Sequence, residues 1–86
     1  MGFLKFKGSV GQYGSIKDYN TINATGFYRI TGSTLDGIPN NPNIYYGVMF
    51  HFEEQFTLQV AFDLEKSKFC YRIRNEKAVW SAWFVL

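Results

Sequence analysis

Residues 56–74 constrain this chain more than any other stretch, because two runs of strict apolar and polar alternation are separated there by a short polar break. Phe56, Leu58, Val60, Phe62 and Leu64 alternate with Thr57, Gln59, Ala61 and Asp63. After Glu65-Lys66-Ser67-Lys68 the alternation resumes, with Phe69, Tyr71 and Ile73 set against Cys70, Arg72 and Arg74. Successive side chains of a strand point to opposite faces, so a period of two specifies a pair of antiparallel strands with a turn between them. Burying a large apolar side chain contributes roughly 1.5–3 kcal/mol. The pattern therefore predicts a core of Leu58, Val60, Phe62, Tyr71 and Ile73 together with Tyr46, Val48 and Phe50. A hairpin alone is marginal in water, so flanking segments must cover it.

Residues 44–52 supply the next strand, with Tyr46, Val48, Phe50 and Phe52 on one face and Tyr45, Gly47, Met49 and His51 on the other. Both faces are largely apolar, which suits a central strand covered on both sides or one whose outer face meets another chain. Glu53-Glu54-Gln55 turns this strand into the hairpin, so residues 44–74 read as a three-stranded meander. Upstream, Gly26 opens a strand with Tyr28 and Ile30 on one face and Phe27 and Arg29 on the other. Residues 31–43 are dense in turn formers, including Gly32, Ser33, Asp36, Gly37, Pro39, Asn40, Asn41 and Pro42, and predict a long loop. Ordered loops of this length tend to be functional or to pack as a compact lobe.

Asp18 is suited to cap a single helical turn that drops Ile22 onto the core. Residues 3–7 predict a first strand, and the glycines at 8, 11 and 14 predict a flexible lead-in over 8–15. Asn75-Glu76-Lys77 forms a further turn, and the apolar end of the chain, residues 79–86, must be paired or packed. If that end is a strand, Trp80 faces inward and Trp83 lies nearer the surface. The expected class is mainly β (small α+β): an antiparallel sheet built on a β-meander with at most one short helical turn. An N-terminal strand and Gly-rich lead-in over 1–17 precede a domain over 18–86.

Eighty-six residues support one core. The formal charge of +2 is spread among acids and does not point to nucleic acid, and the strand pattern of RNA-binding aromatics is missing. Lys66, Lys68, Arg72 and Arg74 read as a solvated strand face. No apolar run has the length of a membrane span, and the first residues lack the apolar centre of a signal peptide. The expectation is a protein without membrane insertion, made in the cytoplasm and, if it acts outside, leaving by a route such as lysis.

Candidate chemistry is sparse. Cys70 is the single cysteine, which rules out an internal disulfide, and it reads as a small, semi-buried filler, with a reactive thiol as the alternative. His51 is the only histidine, and a lone histidine on a strand is usually structural rather than half of a nucleophile pair. Asp36, Glu53, Glu54, Asp63, Glu65 and Glu76 fall mostly in turns, with no pair marked out as acid and base across a cleft. No phosphate-gripping loop and no zinc-ligand set is present, so no catalysis, metal or cofactor is expected. Aromatic residues, at 20% of the chain, are the unusual feature. Most belong to a core, but Tyr13, Tyr45, Trp80 and Trp83 are less clearly inward. Flat rings beside polar groups offer the apolar faces of sugars a dry partner. Tyr13, Asn40, Asn41, Tyr45 and Trp83 are therefore the candidate contacts for a glycan.

The order of short motifs adds a resemblance. Asp18-Tyr19-Asn20-Thr21-Ile22, Thr25-Gly26-Phe27-Tyr28, Tyr46-Gly47-Val48, Gln59-Val60-Ala61-Phe62-Asp63, Tyr71-Arg72 and Trp80-Ser81-Ala82-Trp83 follow one another along the chain. In that order and spacing, residues 18–86 resemble the knob domain of R-type pyocin and bacteriophage tail fibres. The resemblance implies a small, mostly β module of an elongated, usually homotrimeric fibre in a virion or phage-tail-like particle, which helps to place that particle on a bacterial surface, without catalysis. A free-standing carbohydrate-binding module and a purely structural fibre spacer are the alternatives.

Overall fold

The computed structural model describes residues 5–34 and 37–86, so Phe3, Leu4 and Asp36 lie outside the described residues. Six strands form one sheet in chain order: β1 (Phe6–Val10), β2 (Gly26–Ser33), β3 (Ile44–Phe52), β4 (Thr57–Asp63), β5 (Lys68–Arg74) and β6 (Phe84–Val85). β1 runs parallel to β2, and every other neighbouring pair is antiparallel. The fold is mainly β, with the meander as β3, β4 and β5 and one 3-10 turn at Tyr19–Thr21.

Local chemistry accounts for most boundaries. Asp18 caps the 3-10 turn by accepting from the backbone N–H of Asn20 at 2.9 Å, and Ile22 is buried immediately after it. The β4–β5 turn is closed by the Asp63 carboxylate, which accepts from the N–H groups of Glu65 and Lys66, both at 3.0 Å. Asp63 is thus buried in a turn-closing role rather than solvated. After β5, Asn75 does the same for Lys77 and Val79. Two boundaries differ from the sequence expectation. β1 continues through Gly8 to Val10 into the expected lead-in, because pairing with β2 satisfies its backbone. β2 likewise extends to Ser33, so the loop starts later than expected.

The main correction concerns which side of the sheet is covered. The covered side carries Tyr28 and Ile30 from β2, Met49 and His51 from β3, Thr57, Gln59, Ala61 and Asp63 from β4, and Cys70 and Arg72 from β5. Residues 10–22 and the 38–43 loop lay Val10, Tyr19, Ile22 and Ile38 over it, and Ile16 and Trp83 pack at the margin. The expected core residues Leu58, Val60, Phe62, Tyr71, Ile73, Tyr46, Val48 and Phe50 lie on the opposite side, half-buried or exposed. The alternation separated two faces but could not say which one the chain folds over. Gly47, Ala61 and Cys70 leave room for covering side chains, and the polar groups among them find partners within the layer.

Ile30 and Ile73 give a like-for-like test, since one is fully buried and the other 40% exposed. Urea unfolding of dilute, monomeric protein is expected to show Ile30→Ala losing about 2–5 kcal/mol. Ile73→Ala should lose less than half of that. Equal losses would mean that the outer side is core as well.

Candidate functional site

The inner layer holds a continuous chain of polar side chains. Arg72 enters it from β5 and is 3% exposed. Its Nε donates to Gln59 Oε1 at 2.8 Å, and Nη2 donates to Asn20 Oδ1 at 2.8 Å. The guanidinium carbon lies 3.7 Å from the centre of the Trp80 ring and 5.0 Å from that of Trp83. Burial pushes the Arg72 pKa down to about 10, opposed by the Asp18 charge, so the group stays cationic at neutral pH. With no carboxylate paired to it among the described residues, this buried cation is satisfied by two amide oxygens and two indole faces.

Gln59 relays the network further. Its Nε2 donates to the Tyr19 carbonyl at 3.0 Å and meets His51 Nδ1 at 3.1 Å. Since Gln59 Oε1 is occupied by Arg72, the amide presents a donor to His51, and Nδ1 must accept. The proton of neutral His51 is then on Nε2, which faces Glu53 Oε1 at 2.7 Å. Glu53 Oε2 accepts from Arg74 at 2.8 Å, and Arg74 also donates to Thr57 Oγ1 at 2.6 Å. Each member fixes the orientation of the next. Among the described residues, the side chains hydrogen-bonded to His51 are Glu53 and Gln59. The Cys70 thiol is buried, which raises its pKa to about 11 and leaves it an unreactive filler. Among the described residues no three His, Cys, Asp or Glu side chains gather as a metal site, and no helix is long and apolar enough to cross a membrane.

The sequence-derived glycan candidates separate into two groups. Tyr13 and Tyr45 come together with ring centres 6.4 Å apart at 75°, and both rings are open to solvent at 68% and 51% exposure. Tyr13 is held there by its N–H, which donates to the Thr31 carbonyl at 3.2 Å. The ring also lies against Gly32, whose φ of +77° and lack of Cβ permit the approach. The Tyr13 phenol beside it raises the pKa of Tyr45, chiefly through electrostatic repulsion between the two ionised rings. Asn40 instead joins Trp83 to the 3-10 turn: its carbonyl accepts from Trp83 Nε1 at 3.2 Å, and its side chain donates to Asp18 at 2.8 Å. Asn41 braces its own loop, donating to the Ile38 carbonyl at 2.7 Å and accepting from the Asn43 N–H at 2.7 Å.

Trp83, expected nearer the surface, is half-buried, as Trp80 is. It packs edge-on against Tyr19, with ring centres 6.0 Å apart, as part of the inner layer. Only Phe84–Val85 of the C-terminal segment pairs as a strand, so the alternation expected over 79–86 does not apply to Trp83. Arg72 corrects the expectation of a solvated basic face, because the covering turn and the indoles replace water around it. Sequence reasoning missed Tyr19 and Gln59 as centres of the layer; the signal was their place in short motifs rather than their polarity. It also missed an open pocket of about 540 Å³ lined by Lys5, Lys7, Ile16, Asn23, Tyr28 and neighbouring residues. Compared with models of known families, with curated proteins and with solved structures, the chain matches none.

The network predicts acid sensitivity. Burial holds the His51 pKa below the ordinary imidazole range, despite the opposing pull of Glu53. Protonating Nδ1 would set two donors against each other at Gln59. The unfolded chain thus takes up a proton that the folded chain resists, and stability falls as pH drops below about 6.5 toward the folded-state value. For Glu53, burial is the largest influence and acts upward, but hydrogen bonds from His51 and Arg74 outweigh it and lower the pKa. Its contribution is present above the ordinary carboxylate range and is lost as pH falls through the folded value. Urea midpoints measured from pH 8 to 4 should hold level above about pH 7 and decline below it, and His51→Gln should flatten the upper part of the decline. A flat parent profile between pH 7 and 5 would contradict this network.

Proposed function

We propose that this chain is a non-catalytic knob module of a phage tail fibre or tail-fibre-like particle, acting in attachment to a bacterial cell surface. The observation that carries this reading is the convergence of its short motifs. Asn20 from the first motif and Trp80 and Trp83 from the last contact the same side chain, Arg72. Tyr19 meets Trp83, and Asp18 reaches it through Asn40. Motifs far apart in sequence thus serve one packing unit, as expected if their order reflects a shared module. The proposed setting is a virion or phage-tail-like particle in which several copies, as a homotrimer, stand together.

Surface glycan recognition belongs to the same proposal, and the exposed Tyr13–Tyr45 pair is its best-placed element. Asn40, Asn41 and Trp83 are tied into the fold and would act at most through their outer edges. One shallow aromatic site binds a sugar weakly, and useful attachment then comes from linked copies at high effective concentration. The tyrosine pair would serve a free-standing carbohydrate-binding module equally well. A panel of bacterial surface polysaccharides, titrated against parent and Tyr45→Ala protein by calorimetry or fluorescence, tests the contact. Millimolar or tighter binding weakened at least fivefold by Tyr45→Ala is expected. Absence of binding across the panel would leave the spacer reading.

A further inference from the structure

The outer side of the sheet carries a surface that no polar function explains. One row across it reads Phe6, Phe27, Phe50, Val60, Tyr71 and Phe84, one residue from each of the six strands in register. Val48, Phe62 and Phe69 continue it on one flank, and Phe52, Leu58 and Ile73 on the other. The rings meet across strands, with centres 5.1 Å apart for Phe27–Phe50, 5.6 Å for Phe62–Phe69 and 5.5 Å for Tyr71–Phe84.

Size and charge say what this face can accept. Phe6, Tyr46, Phe52, Phe62, Phe69 and Phe84 are each 39–49% exposed. With roughly 150–250 Å² per aromatic side chain, those six leave on the order of 500 Å² of ring surface in water. The half-buried rows between them bring the face toward the about 800 Å² per partner of a stable interface, beyond the few hundred Å² that monomers ordinarily expose. Arg29 is the only charged side chain at the outward positions of β2 to β5, and its guanidinium already lies 4.7 Å over the Phe6 ring. A charged or strongly polar occupant would find only the Arg29 guanidinium and the hydroxyls of Tyr46 and Tyr71 to pair with. Pleated sheets pack face to face when both are apolar and share the same twist, about 10 Å apart. The described surface that matches this face in size, twist and polarity is the face itself.

We propose that a second copy of this chain covers the outer side of the sheet, the two outer faces packing against each other. The inference rests on the sheet face alone and goes beyond the fibre reading, because two identical faces packed against each other close as a pair. Sedimentation equilibrium of the whole chain from 1 to 500 µM is expected to show a mass rising above the 10.0 kDa of one chain to that of two chains. Phe62→Glu, a change at an already exposed position, should weaken association at least tenfold, with the near-ultraviolet dichroism of the inner layer unchanged. If that variant does not fold, Phe84→Glu on the short edge strand gives the same readout. Tyr45→Ala, away from the face, should associate like the parent. A parent that stays monomeric at 500 µM overturns the interface, as do a folded Phe62→Glu or Phe84→Glu chain that associates as tightly as the parent. Glycan binding by such a monomer would leave attachment standing, and association without glycan binding would do the reverse.

Discussion

Arg72 brings a full positive charge under the covering segments, and the inner layer is arranged around satisfying it. Water would solvate that cation better than any apolar wall, so its burial requires partners in fixed positions. Gln59 and Asn20 supply oxygens, and Trp80 and Trp83 supply ring faces. These partners come from β4, from the 3-10 turn and from the C-terminal segment. Satisfying one charge therefore specifies how three separate pieces of chain meet. The Gln59 amide then passes that order to Tyr19 and His51, and His51 to Glu53 and Arg74. A layer built this way is specific in geometry and sensitive to proton uptake.

The two sides of the sheet divide the work. The inner side, polar by sequence, is buried by this chain's own loops and is held by directed bonds. The outer side, apolar by sequence, has rings tilted against one another across neighbouring strands. Small domains have little interior to spend, and this one places its largest apolar surface where another chain can use it. The exposed Tyr13–Tyr45 pair belongs to neither layer and remains accessible when the outer face is covered.

Much of the fold was legible in the sequence, and the reasons are local. Strict alternation located β4 and β5, Asp18 marked the 3-10 turn, and the turn formers around Asn75 marked the end of β5. The parity of each strand was also readable: Tyr28 with Ile30, and Gln59 with Ala61. What could not be read was which parity the loops would cover. Leu58 and Val60 are more hydrophobic than Thr57 and Gln59, yet burial went to the latter, because partners such as the Tyr19 carbonyl, His51, Arg72 and Arg74 satisfy their polar groups. The same limitation hid the role of Arg72, which looks solvated beside Arg74 and Lys68. Of the site, the pairing of Tyr13 with Tyr45 depended on the backbone bond to Thr31 and the open space at Gly32, neither of which leaves a spacing signal.

The central claim, that Arg72 and the indoles act as one unit holding the inner layer, is tested most directly by a double-mutant cycle. Arg72→Met, Trp80→Leu and the double variant would be unfolded in urea beside the parent. A cation over a ring in a desolvated site is worth about 1–2 kcal/mol, so the double variant should be less destabilised than the two single losses together by about that amount. Losses that add to within about 0.5 kcal/mol, as independent sites do, would contradict the account.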